Sequence, residues 1–297
     1  MTQLLWDGLF VGSFYALIAL GYSMVYGIIK LLNFAHGDLY MLGAFIAFAM
    51  LTSVGGIPAS LSIGALIVVM MLSMVITGAA GVLIERVAYR PLRNAPRLAL
   101  LISAVGVSFA LEYGVSAIAS PNPRAFPVRL EGEMFMLLGA RITMPQIVLI
   151  LIAGVLMVML DTYIRKTSTG RAMRSISLDR TGSLLMGINV NAVITRTFFI
   201  GSALAAAAGV MAGAYYGNIN FLMGFIIGLK AFTAAVIGGI GNIRGAMLGG
   251  LLLGFIEAFG AEWFGGEWRD VFAFAILILF LTLRPTGILG DRVTERV

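Results

Sequence analysis

The sequence predicts an all-α integral membrane protein, a polytopic helical bundle of about eight or nine membrane segments. Three observations carry that reading. Of 297 residues, 60% are hydrophobic and 11% charged, with a mean hydropathy of +1.00. A soluble domain carries about 25% charged residues, so this chain could not cover a water-facing surface. No charge falls from Gly8 to Ile29, Leu39 to Ile84, Ile142 to Leu160 or Thr197 to Leu229, and a helix needs about 20 apolar residues to cross the hydrocarbon. The alternating segments of roughly 10 residues that a β-barrel requires are missing.

In chain order, the first apolar run predicts a segment at 5–29, ending before Lys30. MTQLLWDGLF has no Lys or Arg and so lacks the basic start of a signal peptide; this run is expected to remain as a span. The long uncharged stretch after Asp38 holds two segments, at 38–54 and 57–84. Further segments are expected at 97–119, 143–163, 192–214, 222–240, 245–262 and 268–284. The segment at 38–54 is short and that at 222–240 is rich in glycine, so either fits a half-helix. The whole chain, 1–297, reads as one transmembrane domain.

Lys and Arg in short loops are retained on the cytoplasmic side. Arg86, Arg90, Arg93 and Arg97 fill one loop; Arg165, Lys166, Arg171, Arg174, Arg180 and Arg196 fill a second; Arg284, Arg292 and Arg296 lie in the tail. The opposite loops hold Arg124, Arg129, Arg141 and Arg269, partly offset by Glu131, Glu133, Glu262 and Glu267. Nine segments with the N-terminus outside and the C-terminus cytoplasmic satisfy every loop. Trp6, Trp263 and Trp268 then fall near outer ends, where indole rings prefer the interface. The net charge of +6 reads as retention signals. Nucleic-acid binding is not expected, because no loop is long enough to build a basic water-exposed domain.

The chain has no cysteine and one histidine, which excludes disulfides, thiolate chemistry and a multi-histidine metal site within it. Its three lysines, Lys30, Lys166 and Lys230, stand in no G-x-x-x-x-G-K-[ST] phosphate cradle. No catalytic triad or carboxylate pair is visible either. The chain is expected not to be an enzyme, and ATP-driven transport would require hydrolysis by another chain.

KLLNFAHGDLYMLGA, Lys30–Ala44, sets Asn33, His36, Gly37 and Asp38 between two apolar segments. One histidine and one carboxylate are too few for a metal. Polar backbone at membrane depth survives only where protein or water covers it, so a helix break near a pathway is favoured over a surface loop. Asn33, His36 and Asp38 would then cap the broken ends, with His36 close to Asp38. Asn33-Phe34-Ala35-His36-Gly37 is echoed by Asn220-Phe221-Leu222-Met223-Gly224. With nine segments the two fall on opposite sides, the pattern of an inverted repeat around a midplane site. Asn220 and Gly224 are pathway candidates on this ground.

Three further features are informative. Arg165–Arg196 is the longest polar stretch; Thr167, Ser168 and Thr169 offer N-caps to a helix on which Met173, Ile176, Leu184 and Leu185 share a face, and Gly187 stops it. It reads equally as a surface helix or as a docking helix for a cytoplasmic partner. Gly241, Gly245 and Gly249, and Gly250 and Gly254, recur at the spacing that lets helices approach closely; unwound backbone lining a pathway is the alternative. Glu112, Lys230 and Glu257 are charges inside predicted spans and must face protein, water or a partner. Glu112 or Glu257 pairing with Lys230 is as good a reading as a substrate role.

The stretches GLFVGSFYALIALGYSMVYGIIKLLNFAHGDLYMLGAFIAF, ERVAYRPLR, STGRAMRSISLDRTGSLLMGINV and LRPTGILG resemble the permeases of branched-chain amino-acid ABC importers, of the LivH-type subunit, from about Trp6 to Gly290. The resemblance implies a transmembrane permease in the bacterial inner membrane that imports branched-chain amino acids by alternating access. It implies a second permease chain, a homologous hetero-partner or another copy; two cytoplasmic subunits that bind ATP and magnesium; and an extracytoplasmic solute-binding protein. This chain itself would bind no cofactor. The block Gly170–Val190, inside a cytoplasmic loop at about 165–191, matches the family's coupling loop, with Asp179 and Gly187 the positions carried over, Arg171 and Arg174 as flanking contacts and Gly170 and Arg180 also in the loop; the cytoplasmic tail covers about 285–297. Related permeases import urea, short amides or other amino acids. A stand-alone secondary transporter or channel, and a membrane scaffold, are the readings from other classes.

Overall fold

The computed structural model describes residues 1–30, 32–53, 63–128, 134–137 and 139–290. The start of the predicted 57–84 segment, together with Arg129, Glu131, Glu133, Arg292 and Arg296, lies outside them. Nine helices stand where nine segments were expected: α1 (Thr2–Ile29), α2 (His36–Ser53), α3 (Ile63–Ile84), α4 (Arg97–Ala119), α5 (Met144–Lys166), α8 (Val190–Tyr216), α9 (Met223–Gly238), α10 (Ile243–Phe264) and α11 (Arg269–Leu283). Two more, α6 (Ser168–Leu178) and α7 (Arg180–Leu185), fill the polar stretch after α5. Six of the nine are long and apolar enough to cross a membrane. The others, α2, α9 and α11, have 18, 16 and 15 residues; α9 thus rises about 24 Å, short of the hydrocarbon thickness.

At the centre, α1 and α8 run antiparallel and are buried along most of their length. The ring of Phe10, early in α1, lies 4.2 Å from that of Tyr215 at the end of α8. Toward the other end of α1, a Cβ placed on Gly201 comes 3.3 Å from the Gly21 Cα. Helix α10 packs on α1, and α3 packs on α8 in the same manner. Small residues make these crossings, because lipid is as apolar as Leu and packing must supply the attraction. Gly250 rests on Ala16 and Gly254 on Gly12, while Gly245 and Gly249 rest on Gly238 and Ala234 of α9. The glycine series is therefore a packing surface. Its first member is different: Gly241, with Gly239, has positive φ (95° and 106°) and turns the chain between α9 and α10.

The periphery is α3, α4, α5 and α11, whose outward faces carry Leu, Ile, Val and Phe. Thr143 opens α5 with a capping box to Gln146 and a proline in its first turn. Helix α3 continues into a π-helical turn, Glu85–Tyr89. Four short strands, unforeseen from the sequence, form two antiparallel pairs: β1 (Arg124–Ala125) with β4 (Asn218–Ile219), and β2 (Met134–Leu137) with β3 (Ala140–Thr143). The second pair lies by the start of α1, where the Arg141 N–H donates to Gln3 Oε1 at 2.8 Å.

Candidate functional site

The break after α1 is made by backbone. Lys30 closes the helix in the left-handed region (φ 57°), its N–H bonded to the Tyr26 carbonyl at 2.8 Å. The chain then doubles back along α1. His36 lies on Gly21, where any Cβ would overlap the imidazole, so α2 begins about 12 Å inside the end of α1. The two N-F-x-x-G pentapeptides fold alike. The His36 N–H meets the Asn33 carbonyl at 3.1 Å and the Met223 N–H meets the Asn220 carbonyl at 3.3 Å, and a helix starts at the fourth residue of each.

The first of these turns follows the C-terminal end of α1 and the second the C-terminal end of α8. Since α1 and α8 are antiparallel, the turns come in from opposite ends, and they meet. A Cβ on Gly224 would lie 2.7 Å from Asp38 Oδ1 and 2.9 Å from the Gly37 carbonyl, and one on Gly37 would overlap the Gly224 carbonyl and approach the Gly228 Cα to 2.6 Å. Only glycine fits either position. The N-termini of α2 and α9 thus bring two positive helix ends together around Asp38.

Asp38 is fully buried in the first turn of α2. The Ser108 hydroxyl of α4 donates to its Oδ2, and Glu112, one turn further along α4, lies within hydrogen-bonding reach. Asp38 Oδ1 and Glu112 Oε1 are buried without a hydrogen-bond partner among the described residues. Glu112 therefore meets Asp38 and not Lys230. His36 stacks edge-on against Tyr22, ring centres 4.8 Å apart, on a different side of α2 from Asp38. Asn33 accepts the Tyr89 hydroxyl at 2.6 Å instead of capping α2 with its side chain, whereas Asn220 accepts the Leu222 N–H at 2.5 Å.

Tyr89 leads to a cluster of which the sequence marked only Arg93, as a loop charge. Arg93 pairs with the buried Glu85 and donates to Asn191 Oδ1 at 2.6 Å, and Thr195 donates to Glu85 at 3.0 Å. Burial pulls the Arg93 guanidinium below its ordinary range while Glu85 holds it up. The spacing of Glu85, Tyr89 and Arg93 at every fourth residue was the available signal. The π turn, a geometry frequent at functional sites, and the turn after it that carries Arg93 tie α3 to the start of α8 and to Asn33.

Lys230 on α9 is the second charged centre. Its Nζ lies 3.0 Å from Glu257 Oε1 on α10 and 2.6 Å from Asp270 Oδ1 on α11. The Tyr15 hydroxyl donates to Glu257 Oε2 at 2.8 Å, so four helices converge on one buried ammonium. Glu257 also floors a cavity of about 170 Å³, lined by Asp7, Glu262 and Arg269 among others.

The polar stretch after α5 is an elbow, not the single helix expected. Asp179 takes extended backbone between α6 and α7 and caps α7, its Oδ1 accepting the Thr181 N–H at 2.9 Å. The break turns the apolar residues apart. Met173 and Ile176 pack inward, while Leu184 and Leu185 are exposed, so the four do not share one face. Leu178, Leu185 and Met186 are 88%, 83% and 85% exposed, beside exposed Arg171, Arg174 and Arg180. Gly170 sits so close to Ile164 that no side chain fits, and Arg174 donates to the Ile164 carbonyl. Gly187 ends the elbow at φ 78°.

A buried antiparallel pair flanked by two helices that start inside the bundle from opposite ends, with six helices long and apolar enough to cross a membrane, fits a polytopic helical membrane protein. Among the described residues no group of three His, Asp or Glu could hold a metal ion. The chain belongs to the family described as branched-chain amino acid transport system / permease component, which matches residues 4–281. It is 48% identical to the high-affinity branched-chain amino acid transport system permease protein BraD of Pseudomonas aeruginosa, over 99% of this chain and 97% of that one. With the permease protein LivH of the same type of system in Escherichia coli it shares 44% identity, again over 99% and 97%. The fructose import permease protein FruG of Bifidobacterium longum is 26% identical over 87% of this chain and 82% of its own length.

Proposed function

We propose that this chain is the membrane-spanning subunit of an ATP-driven importer and forms the pathway for branched-chain amino acids. The observation that carries the reading is the end-to-end similarity, at 44–48% identity, to permeases named for that cargo. The absence of a phosphate cradle from the sequence fits a non-catalytic subunit, with ATP and magnesium held by two partner chains in the cytoplasm. A second permease chain and an extracytoplasmic binding protein complete the importer. The excess of Arg at the α6–α7 end supports placing that end in the cytoplasm and the N-terminus outside, in the bacterial inner membrane.

The elbow supports the docking role. An exposed apolar tip ringed by arginines on a rigid, capped scaffold suits a partner that pushes on it. Motion there reaches the crossing along α8, whose first turns hold Glu85 and Arg93 through Thr195 and Asn191. Asn33, His36, Gly37, Asp38, Asn220 and Gly224 form the gate in this reading, while Lys230 and Glu257 hold the bundle around it. The similarity to FruG supports a second reading, the same architecture with a different cargo.

Proteoliposomes containing this chain with its partner permease and ATPases decide between them. Uptake of leucine, isoleucine or valine that needs both ATP and a binding protein is the expected result. Uptake by this chain alone would place it among secondary transporters, and exclusive uptake of sugars or amides would assign the other cargo.

A further inference from the structure

Helices α5 and α8 separate along the outside of the bundle, leaving a groove of about 510 Å³ lined by Leu156, Met159, Tyr163, Phe199 and Leu204, with Arg196 at one end. From Arg196 to Leu204, and from Tyr163 to Leu156, the groove runs about 10–12 Å toward the middle of both spans. Arg196 is exposed. It donates to Thr169 Oγ1 at 3.0 Å, and no carboxylate pairs with it among the described residues. The nearby acid on α5, Asp161, is taken by Arg165 and Arg244. An exposed arginine at the end of an apolar groove can take an anion, and basic pockets between spans on the cytoplasmic side, where the excess of Arg places this end, bind anionic headgroups.

We infer that this groove binds one anionic phospholipid, an acyl chain lying between α5 and α8 and the phosphate on the Arg196 guanidinium. The guanidinium has five N–H donors, of which the Thr169 contact uses one, so a phosphate is accommodated without breaking that bond. Thr169 is the second residue of α6. The lipid therefore braces the base of the elbow and joins membrane composition to the element that receives the partner's push. Lipid binding does not depend on the transport reading; the effect on coupling rests on it.

The test is native mass spectrometry of the complex purified from membranes and exposed to equal amounts of phosphatidylglycerol and phosphatidylcholine of matched chain length. Wild type is expected to keep one phosphatidylglycerol. Arg196→Gln should lower that preference about fivefold, and Arg196→Lys should retain most of it. Ile200→Trp, which fills the groove and keeps the charge, should expel both lipids. The proposal is overturned if wild type shows no preference or if Arg196→Gln leaves it unchanged. Complete displacement by free glycerol phosphate also overturns it, as does cross-linking of Met159→Cys to another protein chain.

Discussion

Replacing Lys230 by Met tests what holds the four-helix junction together. At 3.0 Å from Glu257 and an effective dielectric constant of about 20, the gross attraction is ~5–6 kcal/mol. Desolvating both groups offsets most of this, so the pair's net contribution is small. Removing the cation alone is different: Glu257 is then a buried charge held only by the Tyr15 hydroxyl, at a cost of ~3–5 kcal/mol. The Asp270 side chain is 51% exposed, and its share is at most ~1 kcal/mol. Lys230→Met combined with Glu257→Gln removes both charges and keeps the Tyr15 contact, leaving a loss of ~1 kcal/mol. At roughly 2–4 °C per kcal/mol for a chain of this size, the single variant should melt about 10 °C lower and the double about 3 °C lower. Thermal unfolding of the purified complex in detergent, with membrane yield alongside, measures both. Equal losses in the two variants would refute the compensated pair and move Lys230 toward a substrate role.

The crossing and the elbow give three further expectations. Gly224→Val places a branched side chain against Asp38 and Gly37 and should abolish uptake while the protein still reaches the membrane; normal uptake would mean the two turns do not touch in the working state. Tyr89→Phe strands the Asn33 side chain at a cost of ~1–3 kcal/mol, read as a lower melting temperature, and Asn33→Leu added to it should recover part of the loss. Gly187→Pro, which forbids a positive φ, and Asp179→Arg, which removes the α7 cap, should leave ATP hydrolysis running without uptake. Normal transport in both variants would show that the elbow does not couple.

Much of this was legible because bilayers penalise charge and unpaired backbone in ways a single sequence records. The apolar runs located nine helices, and the echo of Asn33–Gly37 at Asn220–Gly224 pointed to the two turns that meet. Tertiary pairings were less visible. Glu112 offered no sign that it faces Asp38 and not Lys230, since that depends on which side of α4 turns inward. Arg93 read as a topology signal because a loop arginine and a buried one look alike in sequence. The kink at Asp179 was hidden by helical spacing on either side of it. A cap residue inside a periodic run competes with the helix, and only its own backbone geometry shows which wins.

The contact between Gly37 and Gly224 also sets the mechanics of the bundle. Backbone bears on backbone there, with no side chain to compress, so a tilt of either helix would turn about this contact. From Gly37 to the end of α2 is about 24 Å, and from Gly224 to the end of α9 about 21 Å. A tilt of about 5° about that point swings each far tip by about 2 Å. Because the two helices enter from opposite ends, the same small tilt would shift their far tips at opposite ends of the bundle.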